Sequence, residues 1–168
     1  MEINEKTIVF DNGLQISMGE SFDDVAAKIK DYNAEYELGD SIRISEVNLL
    51  KDYRMDCSFY FKSSDEFPVL EKIDIHFDVH HYIQANGEDG NNGWDYYKWM
   101  NWCKKMESEV EELLLDSSPK AKKIELVNQA CVVNIDDLIF TVTHGREYET
   151  GIYLSIGRLE DFKNEYVI

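Results

Sequence analysis

In two runs, Tyr53–Phe61 and Ile73–Ile83, apolar residues recur at alternate positions, with His81 among the second set, and no other feature of the chain limits its fold as much. Tyr53, Met55, Cys57, Phe59 and Phe61 alternate with Arg54, Asp56, Ser58 and Tyr60. After a polar turn at 63–66 and Pro68, Ile73, Ile75, Phe77, Val79 and Ile83 alternate with Asp74, His76, Asp78, His80 and Tyr82. A helix would scatter each set around its circumference. In a strand, successive side chains face opposite sides, so each run gives one apolar face and one polar face. Two such runs joined by a short turn specify antiparallel sheet with one face in a core. The second run, 69–83, is long for one strand and is expected to bend or bulge.

Two other segments have the period of a helix. Phe22, Val25, Ala26, Ile29 and Tyr32 fall on one face, so a helix is expected over 21–32, with Ser21 and Asp24 as a capping-box-like start. A longer helix is expected over about 94–115, with Tyr96, Trp99, Cys103, Met106, Val110, Leu113 and Leu114 as its stripe and Trp102 at the edge. Trp94, Tyr97 and Met100 fall off that stripe. Asp11-Asn12-Gly13 between apolar runs signals a hairpin joining strands at 7–10 and 14–18. Further strands are expected at 41–47, 123–135, 138–143 and 151–157, while 33–40 reads as a polar connection. This is an α+β pattern: a mostly antiparallel sheet of about six to eight strands with two main helices. Each helix is followed by three strands, which suggests two αβββ units within one domain spanning 1–168.

The chain has 34 acidic and 17 basic residues, a formal net charge of −17. The excess is spread out: ten acids against three bases in 1–40, ten against five in 41–90 and fourteen against nine in 91–168. With 43% hydrophobic residues, this is the charge of a folded surface and not of a disordered acidic tail. Nucleic acid is not an expected partner, because phosphate contacts need clustered Lys and Arg. A basic protein is, since opposite fields steer association. No apolar run is long enough to span a membrane. The first residues lack the basic and apolar regions of a secretory signal, and Cys57, Cys103 and Cys131 are widely spaced, so reduced thiols in a cytoplasmic protein are expected.

Catalytic signals are weak. There is no Gly-x-Ser-x-Gly elbow, Walker loop, Cys-x-x-Cys or His-Glu-x-x-His. Asp74, His76, Asp78 and His80 share a strand face, but His76 and His80 would lie about 13 Å apart along it, awkward for one ion. The loop 84–93, rich in Gly and Asn, lacks the spacing of a calcium loop. No catalytic residue, metal or cofactor is expected.

The more informative residues are those of a protein interface. Asp74, Asp78, His80 and Tyr82 on the strand's polar face, Glu88 and Asp89 in the loop, and Trp94 at the helix start would set apolar anchors among carboxylates. A small, acidic α+β chain of this kind resembles bacterial toxin-immunity proteins. The segment Leu14-Gln-Ile-Ser-Met-Gly-Glu-Ser-Phe-Asp-Asp-Val25 also resembles the opening of αβββ modules of the beta-lactamase-inhibitor-protein type, which bind other proteins in tandem. The resemblance covers about twelve residues and the element order. Secreted modules of that type carry signal peptides and disulfides, which this chain does not show. The resemblance implies inhibition by binding: an immunity protein that neutralises a cognate toxin, or otherwise a small-ligand or adaptor module without catalysis.

Overall fold

The computed structural model describes residues 1–37, 40–51, 53–62, 67–78, 83, 96–124, 131–144 and 151–158. The architecture is α+β: helices α1 (Phe22–Ile29) and α2 (Tyr96–Asp116), a three-stranded sheet and an eight-stranded sheet. The small sheet runs β1 (Glu2–Asn4), β2 (Thr7–Val9), β3 (Gln15–Ser17). The large one contains β4 (Ala34–Glu37), β5 (Ser41–Val47), β6 (Met55–Lys62), β7 (Val69–Asp78), β8 (Lys122–Ile124), β9 (Cys131–Ile135), β10 (Leu138–His144) and β11 (Gly151–Arg158).

Its order, β4-β5-β6-β7-β11-β10-β9-β8, has an internal symmetry. Helix α1 precedes the first set of four meandering strands and α2 the second, and the last strands of the two sets, β7 and β11, pair antiparallel at the centre. The order repeat expected from the sequence is present, with a fourth strand in each half. In the first half the extra strand is β4, within the segment read as a connection. Its sequence Ala-Glu-Tyr-Glu has no apolar alternation, and its extended form comes from pairing with β5 through Ala34↔Ile44 and Tyr36↔Ile42. In the second half the segment read as one strand over 123–135 contains two, β8 and β9, which pair antiparallel.

Alternation explains which face is buried. Ile42, Phe59, Ile73, Ile156, Phe140 and Val133 occupy one register row across six strands and are all fully buried. Both helices add to the same core, α1 through Val25 and Ile29, α2 through Trp99, Cys103, Met106, Val110 and Leu114. Truncating a central ring such as Phe59 to alanine would cost about 3–5 kcal/mol. β7 shifts register against β6 between Tyr60 and Phe61, a bulge that keeps both apolar sets on the core side.

Local signals place the smaller parts. Gly13, at φ +87°, closes the β2–β3 hairpin: its N–H donates to Phe10 O at 2.9 Å, and Asn12 Oδ1 accepts from Leu14 N at 3.1 Å. Ser21 Oγ accepts from Asp24 N at 3.2 Å and caps α1. Gly19 N donates to Leu70 O, and Leu70 N to Glu20 O, both at 2.8 Å, so the segment leading into α1 is sewn to β7.

Candidate functional site

The helices lie on one side of the large sheet, and its outer face carries the other half of the alternation. Two register rows cross the centre of that face. One runs Glu35, Arg43, Ser58, Asp74, Ser155, Thr141; the next runs Asp56, His76, Tyr153, Thr143. Thr141, Ile139 and Val132, on β10 and β9, are buried on this face. The polar, partly accessible region is therefore centred on β5, β6, β7 and β11.

Asp74 and Asp78, two of the residues singled out from the sequence, stand on this face with His76 between them. The others, His80, Tyr82, Glu88, Asp89 and Trp94, lie outside the described residues. Asp74 is half-buried. Its Oδ2 accepts from Lys72 Nζ at 2.7 Å, while Oδ1 is buried with no hydrogen-bond partner among the described residues. Lys72 also lies 5.5 Å over the ring of Tyr60, its register partner on β6. Lys72 was not singled out from the sequence but could have been, because a residue two positions away in a strand shares its face.

Sequence reasoning missed the groups that neighbouring strands supply. Arg43 Nη2 pairs with Asp56 Oδ2 at 2.6 Å, and the Glu46 amide donates to Asp56 Oδ1 at 3.1 Å. Burial favours the protonated form of Asp56, but these two hydrogen bonds and the nearby positive potential of Arg43 and His76 outweigh it and hold the carboxyl below its usual range. His76 stacks on Tyr153 with ring centroids 4.7 Å apart and planes at 27°, and its Nε2 is buried with no hydrogen-bond partner among the described residues. No signal in the sequence puts Arg43, Asp56 and Tyr153 beside Asp74 and His76; strand order and register do that.

The face is thus an array of acids held in place by cations. Half-exposed ion pairs of this kind contribute only about 0.2–1 kcal/mol each, so their effect lies more in fixing side-chain positions than in stability. A rigid sheet carrying fixed carboxylates, an imidazole and the exposed ring of Tyr60 is suited to recognising another surface. Among the described residues, no group of three or more His, Cys, Asp or Glu side chains is placed to hold a metal ion.

Away from this face, Trp99 is core, Trp102 is half-buried and Tyr97 is 78% exposed. Lys98, Asn101, Trp102 and Lys105 line a shallow depression of about 340 Å³ on α2, with Lys105 Nζ 4.7 Å over the Trp102 ring. The cysteines are free thiols, Cys57 and Cys103 buried and Cys131 half-buried. Among the described residues, no helix is long and apolar enough to cross a membrane.

No protein-family model, curated protein or solved structure matches this chain.

Proposed function

We propose that this chain is a protein-binding inhibitor of the immunity type, which neutralises a cognate bacterial toxin by covering part of its surface. The observation that carries this reading is the outer face of β5–β7 and β11. There Asp74, Asp78, Asp56 and His76 are fixed on a rigid sheet whose other side is closed by helices. A net charge of −17 supports a basic partner, because complementary fields raise the encounter rate. Asp74 and Asp78 would meet Lys or Arg. His80, Tyr82, Glu88, Asp89 and Trp94 follow in the chain and are proposed as further contacts, with Tyr82 and Trp94 as anchors. The protein is proposed to act without catalysis and in the cytoplasm.

The test is capture followed by rescue. The immobilised chain is exposed to lysate and medium of the source cells and eluted with rising salt. The reading expects one basic protein, toxic when expressed alone and harmless when co-expressed with this chain. It also expects that protein to be lost when Asp74 and Asp78 are both replaced by lysine. A wild-type column that retains nothing beyond what the double variant retains would overturn it.

A small-ligand module is the second reading, favoured by the depression lined by Lys98, Asn101, Trp102 and Lys105. Two lysines flanking an indole suit an anionic group. If that reading holds, replacing Lys98 and Lys105 with alanine abolishes binding of anionic compounds and leaves protein capture intact.

A further inference from the structure

We infer that the partner enters as an extended strand added to β4, so that the inhibitor offers a sheet edge as well as a face. The inference deepens the protein-binding reading and rests on it for the nature of the partner.

Among the described residues the large sheet ends at β4 on one side and β8 on the other. An edge strand presents every second N–H and C=O outward, ready to pair with another chain. The two edges are treated differently. β8 is three residues long and carries Lys122 and Lys123, the usual protection of an edge, with Lys123 Nζ tied to Glu111 Oε1 at 2.5 Å. β4 is acidic and its surroundings are aromatic. Among the described residues, three of the exposed large hydrophobic residues lie toward this end of the sheet: Tyr36 at 53% exposure on β4 itself, Phe67 at 68%, and Tyr60 at 40% two strands in.

Their placement follows from register and contacts. Tyr36 is on β4 itself, on the helix side, with its ring 6.2 Å from that of Phe22. Phe22 in turn packs 5.0 Å from Phe61, and its N–H donates to Pro68 O at 3.2 Å, which brings the chain at Phe67 to the same end. Tyr60 is on the outer face, joined to β4 through the pairs Tyr60↔Ser41 and Ser41↔Glu37. The edge therefore carries a ring on its helix side, while the exposed ring of the outer face, Tyr60, lies two strands in from it. Glu35 is exposed on the outer side, and Asp31 and Asp40 are exposed beyond the two ends of the strand.

A strand added here would alternate its own side chains between those environments. One set would meet Tyr36 and Phe22 on the helix side. The other would lie beside Glu35, at the start of the row that continues through Arg43 and Ser58 to Asp74. The occupant that fits is a partner segment alternating apolar residues with Lys or Arg. A second copy of this chain fits poorly, because each copy carries −17 and the edge itself is acidic.

The probe is a fluorescent synthetic peptide alternating lysine with valine and tyrosine, titrated into the intact protein. Hydrogen exchange is read at the amides of Ala34–Glu37. The inference expects saturable binding with protection confined to β4 and β5. Glu35→Lys and Tyr36→Ala should each weaken binding about tenfold with unchanged circular dichroism. A peptide N-methylated at alternate amides, which cannot complete a ladder, should not bind. Equal binding of the N-methylated peptide, protection away from β4, or no binding at all would overturn the added strand. None of these results touches the capture and rescue experiment. A toxin captured through Asp74 and Asp78 while β4 stays unprotected would remove the strand and leave the inhibitor.

Discussion

The imidazole of His76 lies across Gly151 on the neighbouring strand, so closely that a Cβ on Gly151 would sit 2.5 Å from His76 Nε2 and would also run into the backbone oxygen of Phe77. This contact is at β7–β11, the pairing that joins the two four-strand sets among the described residues. The imidazole could swing away, but the Phe77 carbonyl belongs to the ladder and cannot. Gly151→Ala is therefore predicted to destabilise the fold by about 1–3 kcal/mol, read as a lowered urea midpoint at unchanged slope.

Tyr53 donates a hydrogen bond to Glu109 and so ties the approach to β6 to the middle of α2. Burial, then the bond to this carboxylate, push the phenol's pKa well above its ordinary value. Tyr53→Phe should cost about 1.5–3 kcal/mol in urea unfolding, the range for bonds to charged groups. Because the folded-state pKa is raised, the stabilisation is complete below the ordinary tyrosine pKa of about 10 and drains away as pH climbs beyond it. A spectroscopic titration should find one tyrosine still protonated after the exposed ones have ionised.

At the acid end the sign reverses. Burial works against the charged forms of Asp56 and Asp11, but hydrogen bonds from Arg43 and the Glu46 amide in one, and from the Met1 ammonium and the Lys51 amide in the other, hold both carboxyls below their usual range. Their contribution is present above the ordinary carboxylate pKa and is lost as pH falls through the folded-state values. Stability should be level near neutrality and fall below about pH 4. Asp56→Asn should flatten part of that fall, which thermal melts at stepped pH will show.

The three thiols should be unreactive in the native state. Burial drives the Cys57 thiol far up and raises Cys103 to about 12. Burial and a hydrogen bond to the Glu111 carboxylate take Cys131 to about 12 as well. Thiolate is the reactive species, so a disulfide reagent at pH 8 should react slowly with folded protein and at once with urea-unfolded protein. A fast native phase would contradict these environments.

The parts of this fold that could be read from the sequence are those encoded within a few residues. Gly13 can adopt its left-handed turn wherever the sheet is, Ser21 caps its own helix, and β6 and β7 display their buried faces as alternation. β4 could not be read this way, because Ala34–Glu37 carries no apolar period and owes its extended form to β5. The strand β1, with Ile3 as its single buried residue, was missed for the same reason. Of the candidate site, the shared face of Asp74 and Asp78 was legible. The pairing of Lys72 with Asp74 could have been, because they sit two apart. Arg43, Asp56 and Tyr153 arrive through strand order and register, which depend on how whole strands compete for partners and leave no local trace.

The central claim is that this sheet surface binds a protein. The most direct test is hydrogen exchange of the chain free and bound to the basic partner proposed for it. The account predicts that amides of Ala34–Glu37, Ser41–Val47, Met55–Lys62 and Val69–Asp78 become protected while the exposed side of α2 beyond its first turn, including Lys104 and Ser108, is unchanged. Protection on α2 with the sheet unaffected would contradict it.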